Sequence, residues 1–166
     1  MKRIKILICL LFLCSFNLFS QMRVAVLPFS NLDGNLGLNR YGFELQDSLT
    51  RALKTSDLEE NNITVVPAEE IIDALKEMNV DANNPNFDGN KWNIVPNLNV
   101  DRIISGNFRI VGSRFLINAY IYYPQTKLTD PDFQAKDIFR REDKVLDAVP
   151  VIVRQLSRAW NENEDK

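Results

Sequence analysis

The sequence predicts a single mixed α/β domain, built on a mixed parallel and antiparallel sheet of about five strands with three main helices. Two early apolar runs are each followed by an amphipathic helical pattern, which favours parallel pairing of the first strands. Two later runs are separated by Gly112 and Ser113 alone, which is the spacing of an antiparallel β-hairpin. The predicted order is therefore strand, helix, strand, helix, three strands and a closing helix.

The first half of the chain supplies two strand–helix units. Residues 23–29 (RVAVLPF) form a nearly continuous apolar run, which is typical of a strand buried on both faces near the centre of a sheet. Residues 30–39 contain two glycines and three asparagines and predict a loop, after which apolar residues recur at helical spacing over residues 40–54. A second strand is predicted over residues 63–67 and a second helix over residues 68–78.

The second half of the chain adds antiparallel strands. Residues 79–89 are rich in Asn, Asp and Pro and predict an inserted loop, and residues 91–98 predict a helical turn that Pro96 interrupts. Three strands follow, predicted over residues 102–111, 114–123 and 133–141. The apolar pattern from Val145 to Trp160 predicts the closing helix, which tolerates Pro150 only in its first turn.

The first twenty residues have the layout of a secretory signal peptide. Lys2, Arg3 and Lys5 precede an unbroken apolar run over residues 6–12, and Ser20 is a small residue at the expected cleavage position. The run is well short of the roughly 20 residues that span a bilayer. We therefore expect export, with a signal peptide over 1–20 and a mature domain over 21–166. Lipidation at Cys14 after cleavage behind Leu13 is the alternative, although the residue before Cys14 is bulky.

The composition of the mature chain excludes several classes of function. Cleavage removes both cysteines and three of the 20 basic residues, and the chain has no histidine, so the mature net charge is −5. The mature chain then lacks the cysteines that a disulfide framework needs. It also lacks the cysteine and histidine residues on which zinc sites and most nucleophilic catalysis depend. No phosphate-binding glycine motif is present, and the acidic balance argues against nucleic acid. We expect a protein that is not an enzyme and has no catalytic, cofactor-binding or metal-binding residues.

Two polar loops resemble ligand loops but favour ordinary structure. The first is Asp33-Gly34-Asn35, which is common turn chemistry. The second, within residues 79–90, offers oxygen ligands for calcium but lacks the regular spacing and the closing glutamate of a calcium loop. A solvated loop is the favoured interpretation, and calcium binding remains the alternative, through Asp81, Asn83, Asn86 and Asp88.

The hairpin gives the strongest signal for a binding surface. Alternation in residues 114–123 places one set of apolar side chains toward the core, namely Phe115, Ile117, Ala119 and Ile121. The opposite face then carries Leu116, Tyr120 and Tyr122, which we predict to be protein-binding anchors because tyrosine is common at interfaces. The alternative is that a helix covers this face and the tyrosines border it.

With these elements placed, the chain resembles the TolB amino-terminal-like domain family, which is related to the envelope proteins CsgG, FlgO and LpoB. The matching segments cover residues 21–160 and occur in the family's order; they are "RVAVLPFSNLDGN", "LQDSLTRAL", "ITVVPAEEI", "VDRIISGNFRIVGSRFLINAYIYYPQTK" and "LDAVPVIVRQLSRAW". The chain has no β-propeller after the domain and lacks long amphipathic hairpins, which departs from TolB and CsgG respectively. These motifs are mostly structural and support the fold better than an activity.

The resemblance implies a non-enzymatic module of the periplasm or outer membrane. Its expected partners are envelope proteins or further copies of itself as a homo-oligomer, with no nucleic acid and no cofactor. The alternative that the resemblance implies is a lipidated accessory subunit of an outer-membrane secretion or flagellar assembly, anchored through Cys14.

Overall fold

The computed structural model describes residues 21–56 and 63–161. The predicted signal peptide, with Ser20 and Cys14, lies outside these ranges. Among the described residues, no helix has the length and apolar character needed to cross a membrane.

The strands of the described residues form one six-stranded sheet. They are β1 (Met22–Val26), β2 (Ser30–Asn31), β3 (Ile63–Val65), β4 (Arg102–Val111), β5 (Arg114–Tyr122) and β6 (Thr129–Arg140). The order is β3-β1-β4-β5-β6, and the two-residue β2 pairs with β4 beyond the end of β1. Pairing is parallel from β3 to β4 and antiparallel from β4 to β6, which confirms the predicted mixed sheet.

In the described ranges, three helices of eight or more residues accompany the sheet, together with shorter helical segments. The α-helices there are α1 (Arg40–Lys54), α2 (Ala68–Glu77), α3 (Phe87–Asn90), α4 (Val95–Leu98), α5 (Val149–Leu156) and α6 (Arg158–Asn161). The 3-10 segments of the same ranges lie at Leu36–Leu38, Lys91–Asn93 and Glu142–Ala148.

One side of the sheet, which we call the inner side, is covered by α1 and α5. Leu45, Leu49 and Leu53 of α1 pack with Ile152 and Leu156 of α5, and all five are at most 1% exposed. The inward residues of the strands complete this core, namely Val24, Val26, Ile104, Phe108, Phe115, Ile117, Ala119 and Ile121. The alternation predicted for β5 is therefore correct.

A second core lies on the opposite side of the sheet, beneath α2 and the short helices. Ala25, Leu27 and Ile103 face this side and pack with Ile71 of α2 and Leu98 of α4. Strand β1 is thus buried on both faces between β3 and β4, as its apolar run predicts. The two cores place helices on both sides of the parallel part of the sheet.

Several element boundaries match the sequence prediction closely. Helix α1 spans the predicted residues 40–54, and Gly112 and Ser113 separate β4 from β5 as expected. Gly112 has a φ of 63°, which glycine adopts without the steric cost of a side chain. Pro150 is in the first turn of α5, where its missing N–H removes no intrahelical hydrogen bond.

Other boundaries differ from the sequence prediction for identifiable reasons. Ser30 and Asn31 form β2 within the predicted loop, because β4 extends beyond β1 and leaves its edge available for pairing. Part of the predicted 79–89 loop is helical in α3, where Phe87 is 1% exposed and anchors the turn in the second core. Strand β6 begins at Thr129, four residues before the predicted start, because Thr129 pairs with Tyr122.

Candidate protein-binding face of the antiparallel sheet

The outer face is the side of β4, β5 and β6 opposite α1 and α5, and strand register arranges its residues in rows. One row joins Ile103 of β4, Tyr122 of β5 and Thr129 of β6. The later rows, in order toward the hairpin turn, are Ser105–Tyr120–Gln134, Asn107–Asn118 and Arg109–Leu116–Phe139. Residues opposite one another on antiparallel strands share a face, so all three predicted anchors lie on this face.

The row nearest the second core is covered. The Tyr122 ring packs edge-on against Trp92, with 5.2 Å between ring centroids, and Tyr122 joins the periphery of the second core. The Lys91 Nζ lies 5.2 Å from the Tyr122 ring centroid and 5.5 Å from that of Trp92. These contacts fix the Tyr122 ring at the border between the covered and the open parts of the outer face.

A buried polar cluster supports this border. Lys91 is 2% exposed, and its Nζ donates to Asp88 Oδ1 at 2.7 Å and to Ser105 Oγ at 3.0 Å. The Ser30 hydroxyl also donates to Asp88 Oδ1, at 3.2 Å. A charged group removed from water needs such partners. The cluster therefore joins α3, β2 and β4 beneath Tyr122. Ser105 is fully buried beside the lysine, so its hydroxyl is not accessible to a substrate.

The rest of the outer face is open, and we call it the open patch, defined by Arg109, Val111, Arg114, Leu116, Tyr120 and Phe139. Phe139 is 41% exposed and Val111 is 42% exposed, although both are apolar. Leu116 lies between Arg109 and Phe139 in its row and is only 7% exposed. Leu116 thus forms the floor of the patch, while the side chains on both sides of it reach solvent.

Amide side chains order the centre of the outer face. Asn118 Nδ2 donates to Asn107 Oδ1 at 3.0 Å, and Asn118 Oδ1 accepts from the Asp137 N–H at 2.9 Å. Asp137 has a φ of 58° and lies where the β5–β6 register shifts, so the asparagine side chain bonds to a backbone group at this irregularity. The two asparagines thus order the row of the outer face that lies between Tyr120 and Leu116.

Burial raises the pKa of both tyrosines on this face. Desolvation, with added effects from the Asp88 carboxylate and from Tyr120, raises the pKa of Tyr122 to about 12. Desolvation, followed by the Asp137 charge, raises the pKa of Tyr120 above its usual value. Both phenols are therefore neutral near neutral pH, where they act as hydrogen-bonding aromatic groups.

The structure places the three predicted anchors differently from one another. Tyr120 is half-buried within the open patch, Tyr122 is half-buried against Trp92, and Leu116 is buried. The sequence pattern does not single out Phe139, because the predicted strand over residues 133–141 is mostly polar and shows no clear apolar face. A large apolar side chain within that polar segment was the available signal for an exposed binding residue.

The polar loops make internal hydrogen bonds. Asp81 Oδ1 accepts from the Asn83 N–H at 2.8 Å, which is a turn contact, and Asp88 bonds to Lys91 as described. Asp33 Oδ2 accepts from the Ile110 N–H at 2.5 Å and so joins its turn to β4. Among the described residues, no group of three or more acidic residues is placed to hold a metal ion.

A cleft of about 330 Å³ lies on the inner side, near the start of β1 and the end of β5. Asp130 lines this cleft and is 7% exposed. Its carboxylate accepts hydrogen bonds from the Tyr123 hydroxyl at 2.6 Å and from the Asp132 N–H at 3.0 Å. Because these bonds already engage both oxygens of Asp130, the carboxylate has a structural role.

Comparisons with solved structures identify a shared fold. The chain matches the solution structure of Escherichia coli LpoB with a TM-score of 0.53 and 14% identity, over 74% of this chain and 59% of that one. It also matches the LpoB C-terminal domain of Salmonella enterica, at 11% identity, a TM-score of 0.47 and coverage of 79% and 90%. Lipoprotein GNA1162 of Neisseria meningitidis matches at 14% identity, a TM-score of 0.47 and coverage of 81% and 96%. No family model matches, and no curated protein matches.

The described domain therefore shares the mixed α/β fold of LpoB. The expected relation to LpoB is supported at the level of fold, and the assignment to the TolB amino-terminal-like family remains a prediction.

Proposed function

We propose that this protein is a non-enzymatic module of the cell envelope that binds another envelope protein through the open patch. The observation that carries the proposal is the exposure of Phe139 and Val111 on the same sheet face as half-buried Tyr120, which lies two rows from Phe139. Burial of such apolar and aromatic surface by a partner is favourable, and aromatic residues are frequent energetic anchors of interfaces.

The proposed location rests on the sequence of the first twenty residues and on the fold. A basic start, a short apolar run and Ser20 favour export, and the shared fold with LpoB agrees with a place in the envelope. The second candidate, a lipidated accessory subunit, rests on Cys14. The intact mass of the envelope-extracted protein distinguishes cleavage after Ser20 from lipidation at Cys14. A diacylated species that begins at Cys14 supports the lipidated accessory subunit.

The binding proposal is tested by affinity capture from envelope extract with matched variants. The double variant Tyr120→Ser/Phe139→Ser removes the two aromatic side chains of the patch. The control is Leu146→Ser, which removes an equally exposed apolar side chain (41%) from the 3-10 segment after β6. We expect the double variant to lose the protein that the parent and the control capture. Equal capture by all three proteins would reject the open patch as the binding surface.

A further inference from the structure

We infer that the open patch binds an acidic segment of its partner, one that carries carboxylates beside an apolar side chain. This inference rests on the proposed function and specifies the partner's chemistry. It comes from two arginines on the open patch, Arg109 and Arg114.

The two arginines flank the apolar floor of the patch. Arg109 lies directly opposite Leu116 across the β4–β5 pair, and Arg114 lies opposite the exposed Val111 at the end of the same pair. Both arginines are exposed. A partner that covers Phe139 and Leu116 must therefore approach both guanidinium groups.

Neither guanidinium has an ion pair or hydrogen bond within the described residues, whereas most of the other described arginines have one. Arg23 pairs with Glu70, and Arg51 and Arg141 pair with neighbouring carboxylates at 2.7 and 3.1 Å. Arg102 and Arg140 donate to backbone carbonyls. Guanidinium groups match carboxylates in a two-point geometry, so the free pair favours a partner that supplies carboxylates.

No carboxylate among the described residues forms an ion pair with either arginine. Asp33 Oδ2 accepts from the Ile110 N–H at 2.5 Å, and Asp137, whose N–H donates to Asn118 Oδ1, lies one row from Phe139. The mature chain as a whole carries a net charge of −5, so an acidic partner would be repelled from most of the surface and attracted at this place. Opposite charges at the rim then select the partner and its orientation.

The test uses photo-crosslinking of the full-length protein in its native cells. A photoreactive phenylalanine analogue replaces Phe139, and the crosslinked partner peptide is sequenced. The charge-reversal variant Arg109→Glu/Arg114→Glu carries the same analogue. The control is Arg154→Glu, because Arg154 is exposed on α5, on the opposite side of the sheet, and likewise has no ion pair among the described residues.

We expect a crosslinked protein segment rich in Asp or Glu, with the yield reduced at least about tenfold by charge reversal and changed less than about twofold by the control. An unchanged melting temperature shows that the reversal variant is folded; if it is not, Arg109→Gln/Arg114→Gln replaces it. A neutral or basic segment, a crosslink to lipid, or a yield that charge reversal leaves unchanged overturns the inference. A separate version of the protein carries the analogue at Leu146, outside the open patch, instead of at Phe139. If crosslinks form from Leu146 but not from Phe139, or from neither position, the proposed function itself fails.

Discussion

The side chain of Lys91 is almost fully buried, yet its Nζ lies 2.7 Å from Oδ1 of Asp88, whose side chain is 64% exposed. This asymmetric pair joins the short helix α3 to the sheet, because the same ammonium donates to Ser105 of β4. The Lys91 ammonium also lies beneath the Tyr122 ring, 5.2 Å from its centroid. The pair thus connects the 79–90 segment with the covered edge of the outer face, and its contribution to the free energy of unfolding can be measured.

Asp88→Asn should lower the free energy of unfolding by about 1–3 kcal/mol, because a buried ammonium loses its charged partner. The matched control is Asp73→Asn. Asp73 pairs with Lys76 at the same i,i+3 spacing, but both side chains are about 70% exposed. Exposed pairs contribute about 0–1 kcal/mol. Urea unfolding of both variants gives the comparison, and equal losses would show that the Lys91 pair has no special role.

Tyr120 and Tyr122 should respond differently to truncation. Tyr122→Ser removes the edge-on contact with Trp92, and we expect a loss of about 2 kcal/mol of stability. Tyr120→Ser should cost about 1 kcal/mol or less and should weaken partner binding instead. Thermal unfolding and partner capture, measured on each single variant, separate the two effects. A large stability loss from Tyr120→Ser would make Tyr120 a core residue.

The tyrosine titration should be shifted to high pH. Tyr41, Tyr120, Tyr122 and Tyr123 all have a raised pKa, and burial raises that of Tyr122 to about 12. A pKa raised on folding stabilises the protein fully below the unfolded value near 10, and this stability is lost as pH rises from about 10 to about 12. Absorbance titration near 295 nm should lose its latest component in Tyr122→Phe, and Asp88→Asn should lower the Tyr122 pKa. A component that persists in Tyr122→Phe would contradict the assignment.

Gly106→Ala should be strongly destabilising. A methyl group at position 106 would overlap the Phe29 ring and the carbonyl oxygen of Asn118, and one of these is backbone in the adjacent strand. Overpacking of a tight core typically costs about 1–3 kcal/mol. The control is Gly89→Ala, because a methyl group there meets nothing within 4 Å. Chemical unfolding should show a lowered midpoint for the first variant alone.

Periodicity predicted most of the fold because it reports which face of an element is buried. The helical spacing over Leu45, Leu49 and Leu53 and the alternation in β5 depend on single elements, and both are confirmed. The short β2 depends on an unpaired edge of another strand, which no local pattern records. The β6 start depends in the same way on pairing with Tyr122.

The candidate site was less predictable, because exposure depends on neighbours from other strands. Alternation within single strands places Leu116 and Arg109 on the face opposite the core. It says nothing of the register that sets Arg109 and Phe139 on either side of Leu116 in the folded sheet. The burial of Lys91 contradicts the usual exposure of lysine. Two features of the sequence could have indicated that Lys91 is buried with a partner. They are its i,i+3 spacing to Asp88 and its position directly before Trp92.

Hydroxyl-radical footprinting of the protein, alone and with its captured partner, shows directly whether the open patch is the binding surface. Oxidation of Phe139 and Tyr120 should fall on binding, while Leu146 and Met78, which are exposed outside the open patch, should remain equally reactive. Unchanged oxidation of Phe139 and Tyr120, with protection at Leu146 or Met78 instead, would contradict the proposal that the partner binds there.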